Sequence, residues 1–277
     1  MLKRAAAKTL LTLAKGFPVV AITGPRQSGK TTLARSIFSQ KKYVSLEDPD
    51  QLEFVRQDPR GFLSRFPDGA LIDEAQRYPQ LFSFLQTRVD EDGRKGLFVL
   101  TGSQQFGLLS GITQTLAGRV GLLQLMPFSL EELKKNRKKP KALDDLLLKG
   151  LYPPLYDRKI SPGMWYANYV LTYIERDVRQ LLSVKELSTF QRFVRMCAAR
   201  TGQILNLTSL GNDCGITHNT AKAWLSVLEA SYLVLLLYPH YRNFGKRLVK
   251  SPKLYFYDTG LAAWLLNIQD AGHLSVH

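Results

Sequence analysis

Cysteine is almost missing from this chain: Cys197 and Cys214 are the only two in 277 residues. They are too few for a disulfide framework and lack metal-ligand spacing, so the disulfide-stapled secreted class is excluded and both read as small buried hydrophobes in a reducing compartment. The four histidines, His218, His240, His273 and His277, show no metal-ligand spacing either. No apolar run approaches the roughly 18 residues of a membrane helix. Met1 to Lys15 carries four basic residues among alanines without a cleavable signal pattern. A soluble, cytoplasmic protein is expected. Acidic residues are also scarce, 23 against 38 Lys and Arg, for a formal charge of +15. Such an excess attracts polyanions, among which nucleic acid is the commonest inside cells, although a generally basic surface explains composition equally well.

What the chain does have begins at Val19. VVAIT is a continuous apolar run, suited to a strand covered on both faces, and Gly24-Pro-Arg-Gln-Ser-Gly29-Lys30-Thr31 follows it directly. This is the G-x-x-x-x-G-K-[ST] phosphate loop with a strand before it and a helix, Thr32 to Ser39, after it. Glycines let backbone N–H groups approach phosphate oxygens, and the helix turns its positive end to the same charge. Gly24, Pro25, Arg26, Gln27, Ser28, Gly29, Lys30, Thr31 and Thr32 are the candidate nucleotide-binding residues. Lys30 would reach the β and γ phosphates, and Thr31 would hold Mg²⁺.

A helix over residues 3–15 is expected beside that first strand, and Tyr43 to Leu46 reads as a second strand. Gly69-Ala-Leu-Ile-Asp73-Glu74 is an apolar strand ending in two carboxylates, 43 residues after Lys30. In an open α/β sheet such strand ends face the ligand crevice, where Asp73 would hold Mg²⁺ through water and Glu74 would orient and deprotonate the attacking water. Leu97 to Leu100 is a further strand, ended by Thr101-Gly-Ser103-Gln. If it lies between the two strands that carry these motifs, Ser103, and Thr101 after it, would sit near the γ-phosphate. Arg119 precedes the strand Val120 to Met126. It would offset transition-state charge on its own or a neighbour's nucleotide, or be a surface arginine.

Lys134 to Lys141, with six basic residues in eight and Pro140, reads as an exposed linker. Met164 to Leu182 reads as one long helix whose Trp165, Tyr166, Tyr169 and Tyr173 are packing residues. Residues 186–257 have the pattern of a winged helix-turn-helix. Helices are expected over Phe190 to Thr201, Thr208 to Asp213 and Thr217 to Ala230, with Gly215 as the left-handed turn residue and Thr217 as an N-cap. Ala221, Trp224, Leu225 and Leu228 would face inward, leaving His218, Asn219 and Lys222 for a DNA groove. Arg242, Lys246, Arg247 and Lys250 would lie on the wing between strands Tyr232 to Tyr238 and Lys253 to Tyr257, where they would grip phosphates. A winged helix used only for packing or oligomerisation is the competing reading.

GPRQSGKTT, ALIDEAQ, LTGSQQ, LAGRV with PFSLEEL, LKGLYP, YVLTYIERDVRQL and RLVKSPKLYFYDTGLAAWLL together resemble the AAA+-type P-loop ATPases of bacteria and archaea that carry a conserved C-terminal region of unknown function. The resemblance implies Walker A at Gly24 to Thr31, Walker B at Leu71 to Glu74, a first sensor near Ser103, a γ-phosphate-facing Arg119 and self-association. It also implies a nuclease-like region after the DTG segment, which this sequence, ending at His277, does not include. The expected fold is α/β, a parallel P-loop NTPase sheet with helices on both faces, followed by a mostly α winged helix-turn-helix domain. Its divisions are 1–135 for the ATPase core, 136–183 for a helical small domain and 184–277 for the winged helix. The expected activity is Mg²⁺-dependent ATP hydrolysis coupled to DNA binding or remodelling, a branch-migration-like task being one form. A nucleotide-gated regulator recognising a protein or operator is the alternative. A small-molecule kinase is disfavoured, because Asp73-Glu74 suits activation of water.

Overall fold

A computed structural model describes residues 2–102, 115–138, 140–174, 187–240 and 251–276. The chain forms two compact units, Met1–Phe128 and Ser129–His277.

The first unit is built on five parallel strands in the order β2 (Lys42–Ser45), β3 (Ala70–Asp73), β4 (Phe98–Thr101), β1 (Val19–Thr23) and β5 (Val120–Gln124). Every residue of β1 is buried, which is why its apolar run is unbroken. Alternate residues of β1 serve opposite faces. Val20 and Ile22 pack with Leu10 of α1 (Ala6–Gly16) and Leu33 of α2 (Lys30–Ile37). Val19 and Ala21 pack with Val55 of α3 (Pro49–Gln57), Phe62 of α4 (Pro59–Ser64), and Phe82 and Leu85 of α5 (Leu81–Asp92). Full burial of one such Val or Ile contributes about 2 kcal/mol, so this strand anchors both layers.

Register then places the polar strand ends. Ile22 pairs with Thr101, and Ile72 with Leu100, so Asp73 and Thr101 end level with the start of the phosphate loop. β4 does lie between β3 and β1. Asp48 caps α3, accepting from Asp50 N at 2.9 Å, as the acidic break before Pro49 suggests.

The second unit opens with α6 (Leu130–Lys135), held by a reciprocal capping box between Ser129 and Glu132. The basic run expected as linker therefore starts inside a helix: Lys134 and Lys135 occupy its last turn, where cations oppose the negative helix end. α7 (Leu143–Lys149), α8 (Pro154–Asp157) and α9 (Pro162–Tyr169) follow. Of the helix expected from Met164 to Leu182, residues 175–182 lie outside the described residues, and the part before them changes pitch. Backbone from Val170 to Ile174 widens into a π-helical turn, beside which Asn168 Nδ2 and Thr172 Oγ1 donate to the carbonyls four residues earlier. Trp165, Tyr166 and Tyr169 are buried around Tyr152, with Trp165 stacked on Tyr169 at 4.9 Å.

Three helices, α10 (Leu187–Ala199), α11 (Leu207–Cys214) and α12 (His218–Ala230), precede an antiparallel hairpin of β6 (Val234–Leu237) and β7 (Lys253–Phe256). Gly215 takes φ +70°, and Thr217 Oγ1 accepts from Thr220 N at 3.2 Å, so turn and cap are formed by the residues expected. Ala221, Trp224, Leu225 and Leu228 are buried, with Trp224 edge-on to Phe190 and Phe193. Finally Asp258, 1% exposed, caps α13 (Thr259–Leu265) by accepting from Leu261 N at 2.8 Å. It also accepts from Leu151 N at 2.7 Å and Tyr166 Oη at 2.6 Å, which locks residues 151–166 to the start of α13. A short α14 (Ala271–Leu274) follows.

Candidate active site

β1 runs straight into the loop. Gly24 has φ +139°, and a Cβ there would lie 2.2 Å from Leu125 O, so only glycine lets the loop leave the strand beside β5. Gly29, at φ +91°, then turns the chain into α2. Lys30, 7% exposed, folds back so that Nζ donates to Gly24 O at 2.9 Å and Pro25 O at 2.8 Å. These carbonyls lie on the first two residues of the loop, so the ammonium is held within it. Pro25 and Ser28 are buried, Arg26, Gln27, Gly29 and Thr31 are partly so, and Thr32 is exposed on α2.

One carboxylate organises the strand ends. Asp73, 9% exposed, accepts from Thr31 Oγ1 at 3.0 and 3.1 Å, from Tyr43 Oη at 2.9 Å, from Thr101 Oγ1, and from Glu74 N at 3.2 Å. Burial, then the Asp73 charge, pushes the Tyr43 phenol above its ordinary value, so Tyr43 keeps its proton and donates. Glu74 sits at φ 52°, unusual for a side-chain-bearing residue, and its carboxylate accepts from Gln76 Nε2. That backbone turn separates the two adjacent carboxylates: Asp73 stays with the strand and Glu74 projects from the bend.

The residues present suit a nucleotide with Mg²⁺. A carboxylate and a threonine hydroxyl are hard oxygen donors, and Mg²⁺ takes one or two such protein groups with substrate phosphates and waters completing its shell. Ser28 Oγ and Gln76 Oε1 are buried with no hydrogen-bond partner among the described residues, polar atoms of the kind that a ligand or ordered water satisfies.

Arg119 is elsewhere. Its carbonyl accepts from Val19 N at 3.1 Å, at the start of β1, one strand length of about 16 Å from the loop. Its guanidinium grips both oxygens of Asp90 on α5 at 2.6 and 2.8 Å. Arg119 is thus not brought to this chain's own phosphate loop, because parallel strands place their starts and ends on opposite edges. Ser103 lies outside the described residues, as do Arg242, Lys246, Arg247 and Lys250. His218, Asn219 and Lys222 are exposed on α12. Tyr43 and Gln76 were not singled out in the sequence, since only the fold shows which carboxylate each reaches. Among the described residues no helix is long and apolar enough to cross a membrane, and no group of three His, Cys, Asp or Glu could hold a metal.

Residues 16–134 match the family described as an AAA domain. Residues 140–272 match a domain of unknown function, DUF8612. The uncharacterized proteins Rv2008c of Mycobacterium tuberculosis and Mb2031c of Mycobacterium bovis are each 34% identical over 271 residues, 97% of this chain. The chain spans 60% of the length of those relatives. The Walker-type ATPase paby2304 of Pyrococcus abyssi superposes with a TM-score of 0.60 at 14% identity, over 96% of both chains. With the AAA domain match and the five-stranded parallel sheet, this likeness identifies the fold as that of an AAA+-type P-loop NTPase.

Proposed function

We propose that the protein binds ATP with Mg²⁺ at Gly24 to Thr31, hydrolyses it, and couples hydrolysis to DNA binding or remodelling through residues 184–277, read as a winged helix-turn-helix. The observation that carries the first part is the convergence of Thr31, Asp73 and Thr101 on the sheet edge that bears the phosphate loop. In this reading Lys30 exchanges the Gly24 and Pro25 carbonyls for β- and γ-phosphate oxygens, while loop N–H groups and the start of α2 hold the phosphates. Thr31 and, through water, Asp73 would hold Mg²⁺, which would supply positive charge against the charge developing on the phosphates. Glu74, oriented by Gln76, takes the proton of a water whose oxygen attacks the γ-phosphorus in line. The bond to the β–γ bridging oxygen breaks and ADP leaves. Arg119, on the opposite sheet edge, acts in this scheme only on a neighbouring subunit's nucleotide, which requires self-association.

The DNA reading rests on the +15 charge and on the exposed His218, Asn219 and Lys222. One fixed cation among those three also favours the second reading, a nucleotide-gated regulator whose α12 recognises a protein partner or an operator. Phosphate release with and without duplex, forked and single-stranded DNA separates the two. Stimulation by DNA is expected, and turnover indifferent to all three DNAs would leave the regulator. Lys30→Ala should abolish tight ATP binding. Glu74→Gln should retain binding and lose turnover, and undiminished turnover in that variant would remove Glu74 as the base.

A further inference from the structure

Arg4 lies ahead of α1, far in sequence from every motif discussed above. Its Nη1 donates to Ser28 O in the phosphate loop at 2.7 Å. Nη2 donates to Met126 O at 2.6 Å and, at the longer 3.4 Å, to Pro127 O. The guanidinium lies 4.8 Å from the centre of the Phe128 ring, over its face. One side chain therefore joins the phosphate loop to the segment by which the chain leaves β5.

The peptide that Arg4 holds is the one that joins Ser28 to Gly29. In a trans peptide the carbonyl of one residue and the N–H of the next point in opposite directions, so gripping Ser28 O fixes where Gly29 N–H points. Gly29, left-handed at φ +91°, gives the Ser28–Gly29 peptide little steric resistance to rotation. A Cβ at Gly29 would have Arg4 Nη1 as its close neighbour at 3.7 Å, so the guanidinium backs the joint directly. With Ser28 O drawn to Arg4, the Gly29 N–H is turned to the opposite side, where an anion seated at the start of α2 accepts it. A charged donor makes that grip stronger than a neutral one, and the planar fork lets one group span both segments.

We propose that Arg4 is a positioning residue for nucleotide binding, which clamps the Ser28–Gly29 peptide with its N–H aimed at the phosphates. This rests on the reading of Gly24 to Thr31 as a nucleotide site. The test is the dissociation constant of MgADP, followed with a fluorescent ADP analogue, for the wild-type chain, Arg4→Ala and Arg4→Lys. Arg4→Ala should weaken binding roughly tenfold. Arg4→Lys should fall between, because an ammonium does not reproduce the fork. In steady state the KM for MgATP should rise with the dissociation constant, while kcat changes less than about twofold, as loss of uniform binding requires. The Gly29 amide resonance should move in both variants. A wild-type chain that does not bind MgADP removes the site itself. Wild-type binding that both variants equal leaves the site and removes Arg4 from it. A weakening that Arg4→Lys does not relieve, together with an unmoved Gly29 amide, reduces Arg4 to a structural brace and overturns the proposal. Should Arg4→Ala not fold, Arg4→Lys carries the same two readouts, and an unchanged dissociation constant with an unmoved amide again overturns it.

Discussion

Two buried aspartates organise the two units, and they are built differently. Among the described residues Asp73 is surrounded by hydroxyls, those of Thr31, Tyr43 and Thr101, with a single backbone amide from Glu74. Asp258 is surrounded, among the described residues, by amides from Leu151, Leu261 and Gly260, with a single hydroxyl from Tyr166. A hydroxyl both donates and accepts and can rotate, whereas a backbone N–H only donates and is fixed by the chain. The shell around Asp73 can reorganise when a cation or phosphate arrives. The shell around Asp258 cannot, and it holds the turn after α7, α9 and the start of α13 together. A carboxylate among hydroxyls is suited to a ligand site, and one among amides to a joint.

Asp258→Asn should show the largest effect. The amide side chain supplies one acceptor oxygen, and its NH₂ must face either Leu151 N–H or Leu261 N–H, leaving a buried donor unsatisfied. We expect a loss of about 3 kcal/mol in unfolding free energy. Trp165, Trp224 and Trp264 all lie in the second unit, so intrinsic tryptophan fluorescence in a urea titration reads that unit alone. A loss below about 1 kcal/mol would break the comparison. Asp73→Asn should do the reverse. Thr31, Tyr43 and Thr101 can turn to accept from the new amide, so far-UV circular dichroism should place its stability within about 1 kcal/mol of wild type. Turnover of MgATP should fall roughly 100-fold, about 2.7 kcal/mol of barrier, because an asparagine binds the metal without charge.

Much of this contrast was legible in the sequence on one side only. The phosphate loop, the Asp73-Glu74 strand end, Gly215, Thr217 and the inward face of α12 follow from local patterns: glycine at special backbone angles, caps, and apolar spacing. Contacts that depend on register are another matter. Tyr43 reaches Asp73 across 30 residues, and Tyr166 reaches Asp258 across 92. Arg119 illustrates the same limit: its motif is local, but which edge of the sheet it occupies depends on strand direction. The π-helical turn after Tyr169 breaks a spacing that otherwise reads as one helix.

Removing the two tyrosine hydroxyls sharpens the comparison at smaller scale. Tyr166→Phe should cost about 1–2 kcal/mol in the second unit, since the one hydroxyl proton within reach of both the buried Asp258 oxygen at 2.6 Å and Lys149 O at 3.0 Å is lost. Tyr43→Phe should leave stability nearly unchanged, because the Thr31 and Thr101 hydroxyls still serve Asp73. It should instead raise the Mg²⁺ concentration for half-maximal turnover several-fold, through a less firmly oriented carboxylate. Equal stability losses in the two variants would erase the distinction between joint and site.

The pH dependence of the second unit tests the joint most finely. Burial raises the Asp258 carboxyl above the ordinary aspartate value of 3.8, against the downward pull of Tyr166 Oη and the Leu151, Leu261 and Gly260 amides. Between that value and the folded one, the folded chain keeps a proton that the unfolded chain has lost. The stability contributed by this group is therefore full below pH 3.8 and declines as pH rises through the folded value, with a slope of at most about 1.4 kcal/mol per pH unit. A protonated Asp258 is still compatible with its shell: it can donate to Tyr166 Oη, which then donates to Lys149 O at 3.0 Å, while both carboxyl oxygens go on accepting amides. Asparagine has no such option at the Leu261 amide. The stability gap between wild type and Asp258→Asn should thus be widest at low pH and narrow toward neutrality in urea titrations read by tryptophan fluorescence. A gap that widened with pH would mean that the amides outweigh burial, and that the joint is held by a carboxylate in its charged form.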